Sequence, residues 1–542
     1  MPNEGFLIGI DVGTGSARAG VFSLSGELVA SDKQEISLHR EGSTTFEQSS
    51  EEIWAAVGHC VRGALAAARI EAESVVGIGF DATCSLVLVG EGGASLPVGD
   101  PEHPERNIIV WMDHRAVDQA RRINSGKHAV LDYVGGTISP EMETPKLLWL
   151  KENRRAVYDE VRHFFDLTDF LTWKATGSAT RSSCTVTCKW TYLPHENGWD
   201  ERFFRQIDLA ELVEEDFVRI GQEVVAPGTA LGSGLSEAAA SDLGLAAGTA
   251  VAAGLIDAHA GGIGTVGVIG APSENLAYVF GTSSCTMTST PEPVFVPGVW
   301  GPYHSAMVPG LWLNEGGQSA AGAAIDQLLA LHPASQEADR AARQAGKSLP
   351  EWLADRAMEA GCTSDSDDHL SAVVHLAAGL HVVPEFIGNR APYADPEARA
   401  VICGLGMSRE IDSLVALYVA GLCGLGYGLR QIMETQEASG AAVKRIVISG
   451  GAGQSDLVRQ LLADATGKPV LSVSCEEPVL LGSAILGAVA AGSFSDMQTA
   501  MTAMTSPGKT FTPSEGSMVT LHQARFDAFC RLQSVAREIR QR

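Results

Sequence analysis

The 542-residue chain lacks an excess of basic residues. Lys and Arg total 39 against 65 Asp and Glu, which gives a formal net charge of −26. Because sequence-independent binding of DNA or RNA depends on Lys and Arg that neutralise phosphates, we expect no nucleic-acid partner. The acidity still allows a small anionic ligand, since backbone N–H groups can hold a phosphate without basic side chains.

Long apolar segments and paired cysteine motifs are also missing. No uncharged apolar run reaches the roughly 18 residues of a membrane span, and Met1–Glu4 has neither the basic region nor the apolar stretch of a signal peptide. The ten cysteines are scattered, and only Cys184 and Cys188 lie close together, without a second pair of metal ligands nearby. We therefore expect a cytoplasmic protein with reduced, buried thiols and no membrane partner.

Glycine, in contrast, is present in excess. The chain has 59 glycines in 542 residues, against an average share of about 7%. Hydrophobic residues make up 45%, which is ample for a packed core and argues against disorder. At about 150 residues per domain the length suggests roughly three to four domains, and two large lobes fit almost as well.

Two glycine-rich corners of similar sequence lie nearly half a chain apart. Each follows an apolar, β-prone segment and precedes a second one. The corners are Gly13-Thr14-Gly15-Ser16 and Gly281-Thr282-Ser283-Ser284, separated by 281 − 13 = 268 residues. The matching strands and this spacing predict a duplicated domain.

We therefore predict an α/β protein of two lobes around a central cleft. The boundaries that we expect are 1–256 for the first lobe, 257–492 for the second lobe and 493–542 for a helical extension. A polar insertion at about 332–370 is expected on the outside of the second lobe.

The first corner has the chemistry of a phosphate-binding turn. Glycines that allow positive φ can direct several backbone N–H groups into one concavity, and Thr14 and Ser16 add hydroxyl donors. Asp11, at the end of the preceding strand, is suited to hold a magnesium ion directly or through water. An isolated Gly-Thr-Gly is more often an ordinary hairpin turn, but its repetition favours two turns that hold one polyphosphate.

Two further segments place polar or flexible residues at the ends of apolar strands. Gly450-Gly451-Ala452-Gly453-Gln454 separates a strand from a helix, where a nucleotide can approach the backbone, although a packing turn explains it equally well. Asp257 follows an apolar strand and begins a glycine-rich helix. It suits a general base that accepts a hydroxyl proton, or simply a helix cap.

In their order and spacing these segments resemble the FGGY carbohydrate kinases, which have the actin-like (ribonuclease H-like) ATPase fold. The resemblance runs from about Leu7 to Ala490 and includes Trp111-Met112-Asp113-His114-Arg115 and the Lys146 segment 145–150. Glu143 stands where the family usually has a small residue, and 420–423 lacks the usual acidic residue. The resemblance implies that Asp11 holds Mg²⁺ and that ATP is bound by Gly13, Thr14, Gly15, Ser16, Arg18, Gly281, Thr282, Ser283, Gly450, Gly451, Gly453 and Gln454.

Within the family, the details are most similar to the ribulokinases. The run Asp81–Val87 resembles a signature of the D-ribulokinase branch, and the segment 184–190, expected as a strand from its β-branched residues, looks like the one that offers a substrate-binding lysine. The resemblance implies Asp257 as the catalytic base and a sugar site formed by Thr83, Cys84, Ser85, Lys189, Asp257 and Glu315.

The expected reaction is transfer of the ATP γ-phosphoryl group to the terminal hydroxyl of a ketopentose, with D-ribulose as the first candidate. L-Ribulose, D-xylulose, a tetrulose and glycerol remain alternatives within the family. An actin-like ATPase without a sugar substrate and a non-catalytic sugar sensor also stay open, although Asp11 and Asp257 together argue against lost catalysis. The expected partner is a small-molecule sugar, and a homodimer is left open.

Overall fold

The computed structural model describes residues 5–361 and 369–540, which form two α/β lobes. The strands of the first half are β1 Phe6–Val12, β2 Ser16–Ser23, β3 Leu28–Glu35, β4 His39–Glu41, β5 Thr45–Gln48, β6 Val75–Ala82, β7 Leu86–Val89, β8 Ile108–Ile109, β9 His163–Asp166, β10 Arg181–Ser182, β11 Val224–Val225, β12 Ala250–Val251 and β13 Leu255–Ile256. Its helices are α1 Ser50–Ala68, α2 Val117–Ser125, α3 Glu143–Asn153, α4 Arg155–Glu160, α5 Leu167–Thr176, α6 Ser183–Trp190, α7 Glu201–Gln206, α8 Ala210–Glu214 and α9 Glu237–Leu243.

The second half begins with helix α10 Asp257–Val266. Its strands are β14 Asn275–Phe280, β15 Ser284–Thr290, β16 Trp300–His304, β17 Trp312–Gln318, β18 His381–Val383, β19 Val401–Cys403, β20 Arg445–Ser449, β21 Val470–Val473 and β22 Pro507–Phe511. Its other helices are α11 Gly322–Ala330, α12 Ser335–Gln344, α13 Leu349–Gly361, α14 His369–Ala372, α15 Ile411–Ala438, α16 Asp456–Thr466, α17 Pro478–Ala490, α18 Met497–Met504 and α19 Ser517–Arg540.

The two main sheets repeat one strand pattern. Strand β1 pairs antiparallel with β2 and parallel with β6, and β14 pairs in the same two ways with β15 and β20. The full orders are β12-β6-β1-β2-β3, with β13 also paired to β6, and β16-β17-β15-β14-β20-β21-β22. The two glycine corners are therefore the turns of equivalent hairpins.

Helix α1 illustrates how the local sequence sets these elements. Its buried residues Ile53, Val57, Val61 and Leu65 recur at helical spacing and face the first core. The Ser49 side chain accepts a hydrogen bond from the Glu52 N–H group and caps the helix, as an N-terminal serine commonly does.

The segment 184–190 is helical, and the predicted strand is wrong. Ser182 caps helix α6 by accepting a hydrogen bond from the Cys184 N–H group at 3.2 Å. The β-branched residues that suggested a strand are all buried within the helix, where packing outweighs their modest intrinsic preference. The helix places Cys184 and Cys188 one turn apart on the same face.

Helix α15 is long and apolar enough to span a membrane by length and composition. In this fold it is a core helix of the second lobe, because 72% of its most apolar window is buried. It packs against α11, α13 and α16. Its apolar character is therefore accounted for by the core that it occupies.

Helix α17 of the second half packs directly on the backbone of the first sheet. A Cβ atom added to Gly9 of β1 would lie 1.9 Å from the Leu480 carbonyl oxygen, and one added to Gly79 of β6 would lie 1.9 Å from the Ser483 carbonyl oxygen. Helix α10 meets α17 in the same way, since a Cβ on Gly264 would lie 2.0 Å from the Pro478 oxygen. The lobes are thus joined by backbone contacts that leave no room for a side chain.

We expect Gly264→Ala to destabilise the protein even though alanine favours helices. Alanine in a helix interior normally stabilises by about 1 kcal/mol, but here the added methyl group meets a fixed backbone oxygen, an overpacking that costs about 1–3 kcal/mol. Thermal denaturation followed by circular dichroism measures the difference.

Gly261→Ala is the matched control on the same helix. Its Cβ would lie 3.4 Å from the nearest side-chain carbon of Val479, which is ordinary van der Waals contact. Its melting temperature should equal or exceed that of the wild type. Equal melting temperatures for the two variants would contradict the role of Gly264 in this contact.

Candidate functional site

Three acidic residues meet where parallel strands of the first sheet end. The register of β1 and β6 places Asp11 beside Asp81. Strand β13 pairs with β6 at the same level, and Asp257 follows β13 directly as the first residue of α10. Because ligands in α/β sheets bind outside the carboxyl ends of parallel strands, this carboxylate cluster occupies the expected position of a site.

The carboxylate cluster is electrostatically strained. Burial and then the charge of Asp11 raise the pKa of Asp257 to about 6, and the same causes raise the pKa of Asp81 well above its ordinary value. Asp81 Oδ2 accepts a hydrogen bond from Ser483 Oγ at 2.5 Å, whereas its buried Oδ1 has no hydrogen-bond partner among the described residues. A divalent cation with oxygen ligands would relieve this repulsion, so these residues fit Mg²⁺.

Arg18 balances part of the negative charge. It lies opposite Asp11 in the β1–β2 hairpin, and its Nε donates to Asp11 Oδ2 at 2.8 Å. Its Nη1 donates to Glu477 Oε2, also at 2.8 Å. Since Glu477 immediately precedes α17, the guanidinium connects the first corner to the helix that joins the lobes.

Neighbouring side chains form hydrogen bonds with the first corner. Trp111 Nε1 donates to Thr14 Oγ1 at 3.0 Å, and Gln48 Nε2 donates to the Thr14 carbonyl at 2.9 Å. Neither Gly13 nor Gly15 takes a positive φ, so the turn does not use the conformational freedom that its glycines allow. A Cβ at Gly15 would meet no described atom within 4 Å, so this glycine leaves open space at the turn, which a ligand can approach.

The second corner borders a cavity of about 870 Å³ in the second lobe. Gly281 and Thr282 line one side of it, and Gly451 and Gln454 line another. The insertion contributes residues from Gly346 to Met358, so it forms a wall of the cavity and does not lie only on the outside. The size suits a nucleotide.

The glycines at 450–453 divide into two kinds. Gly450 has φ of 93° and would clash with the Phe280 backbone if it carried a side chain, and a Cβ on Gly453 would press on Ile448. Gly451, in contrast, has no described atom within 4 Å of its Cβ position and faces the cavity. Gly450 and Gly453 therefore allow close packing of the turn, whereas Gly451 leaves its backbone accessible from the cavity.

Lys189 and Glu315 come from different lobes and lie near enough for their charges to interact. Lys189, on α6, lies with Nζ 5.3 Å from the centroid of the Trp300 ring. Burial alone would lower the pKa of Lys189, but surrounding groups that include Glu315 raise it well above its ordinary value. Lys189 therefore carries a positive charge.

His259 connects Glu315 to α6. Its Nε2 lies 3.3 Å from Glu315 Oε2, and its Nδ1 lies 3.1 Å from Cys184 Sγ. Burial opposes ionisation of Glu315, but the hydrogen bond and charge of His259 lower its pKa to about 2. Burial also opposes a Cys184 thiolate, yet Cys188 and His259 lower the pKa of that thiol, while that of His259 is raised.

The segment Thr83-Cys84-Ser85 links β6 to β7 and is buried. The Thr83 N–H group donates to the Val12 carbonyl at 3.0 Å, and Ser85 Oγ accepts from the Trp111 N–H group at 3.1 Å. Thr83 and Ser85 are thus committed to the fold around the first corner. Burial raises the pKa of the Cys84 thiol well above its ordinary value, although the nearby charge of Lys189 opposes this shift.

Glu143 is an acidic group of this region to which the sequence reading assigned no role. Its side chain is fully buried, and Oε1 lies 3.7 Å from Lys146 Nζ. Neither carboxylate oxygen has a hydrogen-bond partner among the described residues, and burial raises its pKa to about 7 despite Lys146 and Lys189. Its departure from the usual small residue was the sequence signal, and Asp81 begins the run that resembles the D-ribulokinase branch, whereas Trp300 had no signal.

Comparison with known proteins identifies relatives along the whole chain. Residues 6–264 match the N-terminal domain, and residues 276–491 the C-terminal domain, of the FGGY family of carbohydrate kinases. The human FGGY carbohydrate kinase domain-containing protein is 45% identical over 521 residues, which cover 94% of this chain and 93% of that protein. A D-ribulokinase of Saccharomyces cerevisiae is 40% identical over 524 residues, which cover 91% of this chain and 73% of that protein.

A solved structure agrees with the fold. Ligand-bound xylulose kinase from Lactobacillus acidophilus matches with a TM-score of 0.79 at 19% identity, over 98% of each chain. The likeness confirms the predicted two-lobed, actin-like α/β fold, and the family matches confirm the predicted family.

Proposed function

The chain belongs to the FGGY family of carbohydrate kinases, and from this premise we propose that it transfers the γ-phosphoryl group of ATP to the terminal hydroxyl of D-ribulose. It is a sugar kinase, and the observation that carries the choice of sugar is the 40% identity to yeast D-ribulokinase over 91% of the chain. The run Asp81–Val87, which resembles that branch, lies beside the carboxylate cluster and supports the same choice.

The nucleotide binds between the second corner and the 450–454 turn. The cavity there is lined by Gly281, Thr282, Gly451 and Gln454, and its open backbone lets a ligand approach closely. The phosphates then extend toward the first corner, where Thr14 and Ser16 carry hydroxyl groups. Backbone amides and hydroxyls hold the phosphates, so the acidic chain needs no basic patch.

Asp257 acts as the general base. Its raised pKa of about 6 still leaves it ionised at neutral pH, and a base is most effective when its pKa lies near the working pH. Asp11, with Asp81 beside it, holds Mg²⁺, which neutralises phosphate charge when bound. The hydrogen bond of Ser483 to Asp81 orients that carboxylate.

The sugar lies among Lys189, Glu315 and Asp257. Lys189 donates hydrogen bonds to sugar oxygens, and ionised Glu315 accepts them from hydroxyl groups. Glu143 adds a buried carboxylate with no described hydrogen-bond partner next to Lys146. A site built from such groups selects a hydroxyl pattern, because a sugar that leaves one of them unpaired binds weakly.

A substrate panel tests the proposed activity. With MgATP, kcat/KM for D-ribulose should exceed that for L-ribulose, D-xylulose, erythrulose and glycerol by at least about tenfold. Asp257→Asn keeps the shape but removes the base, so kcat should fall by about 10²–10⁴ while ATP binding persists. A higher kcat/KM for another sugar would contradict the assignment of D-ribulose.

The pH dependence tests the base independently of the sugar's identity. Because the pKa of Asp257 is raised to about 6, its active, ionised form is lost as the pH falls through that value. We expect kcat/KM to be constant at neutral pH and to fall about tenfold per unit below about pH 6. The residual activity of Asp257→Asn should lack this limb, and an acid limb that persists unchanged in the variant would exclude Asp257 as the base.

Lys189→Met should weaken sugar binding selectively. Loss of a charge-assisted hydrogen bond of about 1.5–3 kcal/mol corresponds to a rise in sugar KM of about 10- to 150-fold, with little change in the KM of ATP. Lys444→Met, at a surface ion pair with Glu274, is the control and should leave both constants unchanged. An unchanged sugar KM in Lys189→Met would remove Lys189 from the site.

A further inference from the structure

Two thiols and an imidazole lie together between α6 and α10. Cys184, Cys188 and His259 each offer one donor atom, and these atoms all lie within 4.8 Å of one another. Each residue is at most 1% exposed. The proposed phosphoryl transfer uses neither thiol of this sulfur–imidazole cluster, and His259 enters the transfer only as the hydrogen-bond partner of Glu315.

We propose that the sulfur–imidazole cluster is a binding site for a thiophilic divalent cation, with Zn²⁺ as the ion that the donor set fits best. Zinc takes thiolate and imidazole ligands in tetrahedral geometry, at about 2.3 Å from sulfur and about 2.0 Å from nitrogen. These lengths place the two donor atoms about 3.5 Å apart. The Cys184 Sγ to His259 Nδ1 distance of 3.1 Å therefore has to open only slightly.

The second observation is the orientation of His259. Its Nδ1 faces the sulfurs, while its other nitrogen, Nε2, lies 3.3 Å from the carboxylate of Glu315. Metal-binding histidines almost always donate their distal N–H to a carboxylate, carbonyl or water, which fixes the ring and increases its basicity. Glu315 supplies that support before any metal is present.

The cysteines are also arranged as metal ligands. Cys184 and Cys188 are four residues apart on α6, a spacing that directs two ligands to one side of a helix. The Ile256 N–H group donates to Cys184 Sγ at 3.4 Å, and such a bond stabilises negative charge on the sulfur. Two thiolates would cancel the charge of one divalent cation, which lowers the free-energy cost of burying that ion.

This site differs chemically from the carboxylate cluster. Mg²⁺ prefers hard oxygen ligands, whereas sulfur and imidazole select softer ions. A bound Zn²⁺ would link α6 of the first lobe to α10 and, through His259, to Glu315 of β17. Binding of the cation should therefore also stabilise the folded protein by linking these elements.

Cobalt serves as the spectroscopic probe for zinc. Co²⁺ is titrated to equilibrium into the reduced, full-length protein without nucleotide or sugar. We expect a thiolate-to-cobalt charge-transfer band and the intense visible bands of tetrahedral Co²⁺, both removed by added Zn²⁺. We also expect Zn²⁺ to raise the melting temperature. A wild-type protein without the charge-transfer band would overturn the proposal.

Variants assign the ligands. Cys188→Ser should weaken Zn²⁺ binding by at least about 100-fold and abolish the charge-transfer band. Glu315→Gln should weaken Zn²⁺ binding by about 10- to 100-fold but retain the charge-transfer band. Cys60→Ser is the matched control, since Cys60 is a buried thiol elsewhere in the first lobe whose Sγ donates to the Ala17 carbonyl at 3.3 Å. An unchanged band and affinity in Cys188→Ser would contradict the site.

X-ray absorption at the zinc edge reads the ligands without any variant. The zinc-loaded wild type should show two sulfur neighbours and an imidazole. A zinc shell of nitrogen and oxygen alone would overturn the proposal even if Cys188→Ser failed to fold.

Discussion

The structure depends on one close contact, in which the backbone of α17 rests directly on β1, β6 and α10. Gly9, Gly79 and Gly264 permit it, because a Cβ at any of them would lie about 2 Å from a carbonyl oxygen of α17 or of the residues around it. Proteins are packed densely enough that such a contact fixes the relative positions of its elements. The ends of β1 and β6, which carry Asp11 and Asp81, are therefore set by a helix from the other half of the chain.

That contact also determines the electrostatics of the site. Ser483 of α17 donates to Asp81, and Glu477 just before α17 accepts from Arg18, which also binds Asp11. Asp81 is thus bound by a residue of α17, and Asp11 is bound by Arg18, which also contacts the residue just before α17. Movement of the lobes about α17 would change the hydrogen bonds of the carboxylates together with the width of the cleft, which is a physical route from closure to chemistry.

The sequence predicted the features that short stretches of residues determine. The two hairpin corners, the position of Asp257 after a strand and the two-lobed α/β fold follow from short patterns and their spacing. The segment 184–190 was wrong because Thr185, Val186 and Thr187 favour a strand, whereas the Ser182 cap and burial make it a helix. Trp300 and the position of Asp81 beside Asp11 could not be found, because strand register and the approach of β16 to α6 are long-range properties.

At the cleft, the glycines that the sequence has in excess act in two ways that composition cannot separate. At Gly15 and Gly451 the space beyond the backbone is open, so the missing side chain leaves room for a ligand. At Gly9, Gly79 and Gly264 that space is filled by another backbone, so the missing side chain allows the lobes to join. Glycine therefore both leaves space for a ligand in the cleft and allows the close packing that joins the lobes. A phosphate-binding turn is useful only because the closely packed glycines fix the position of that turn.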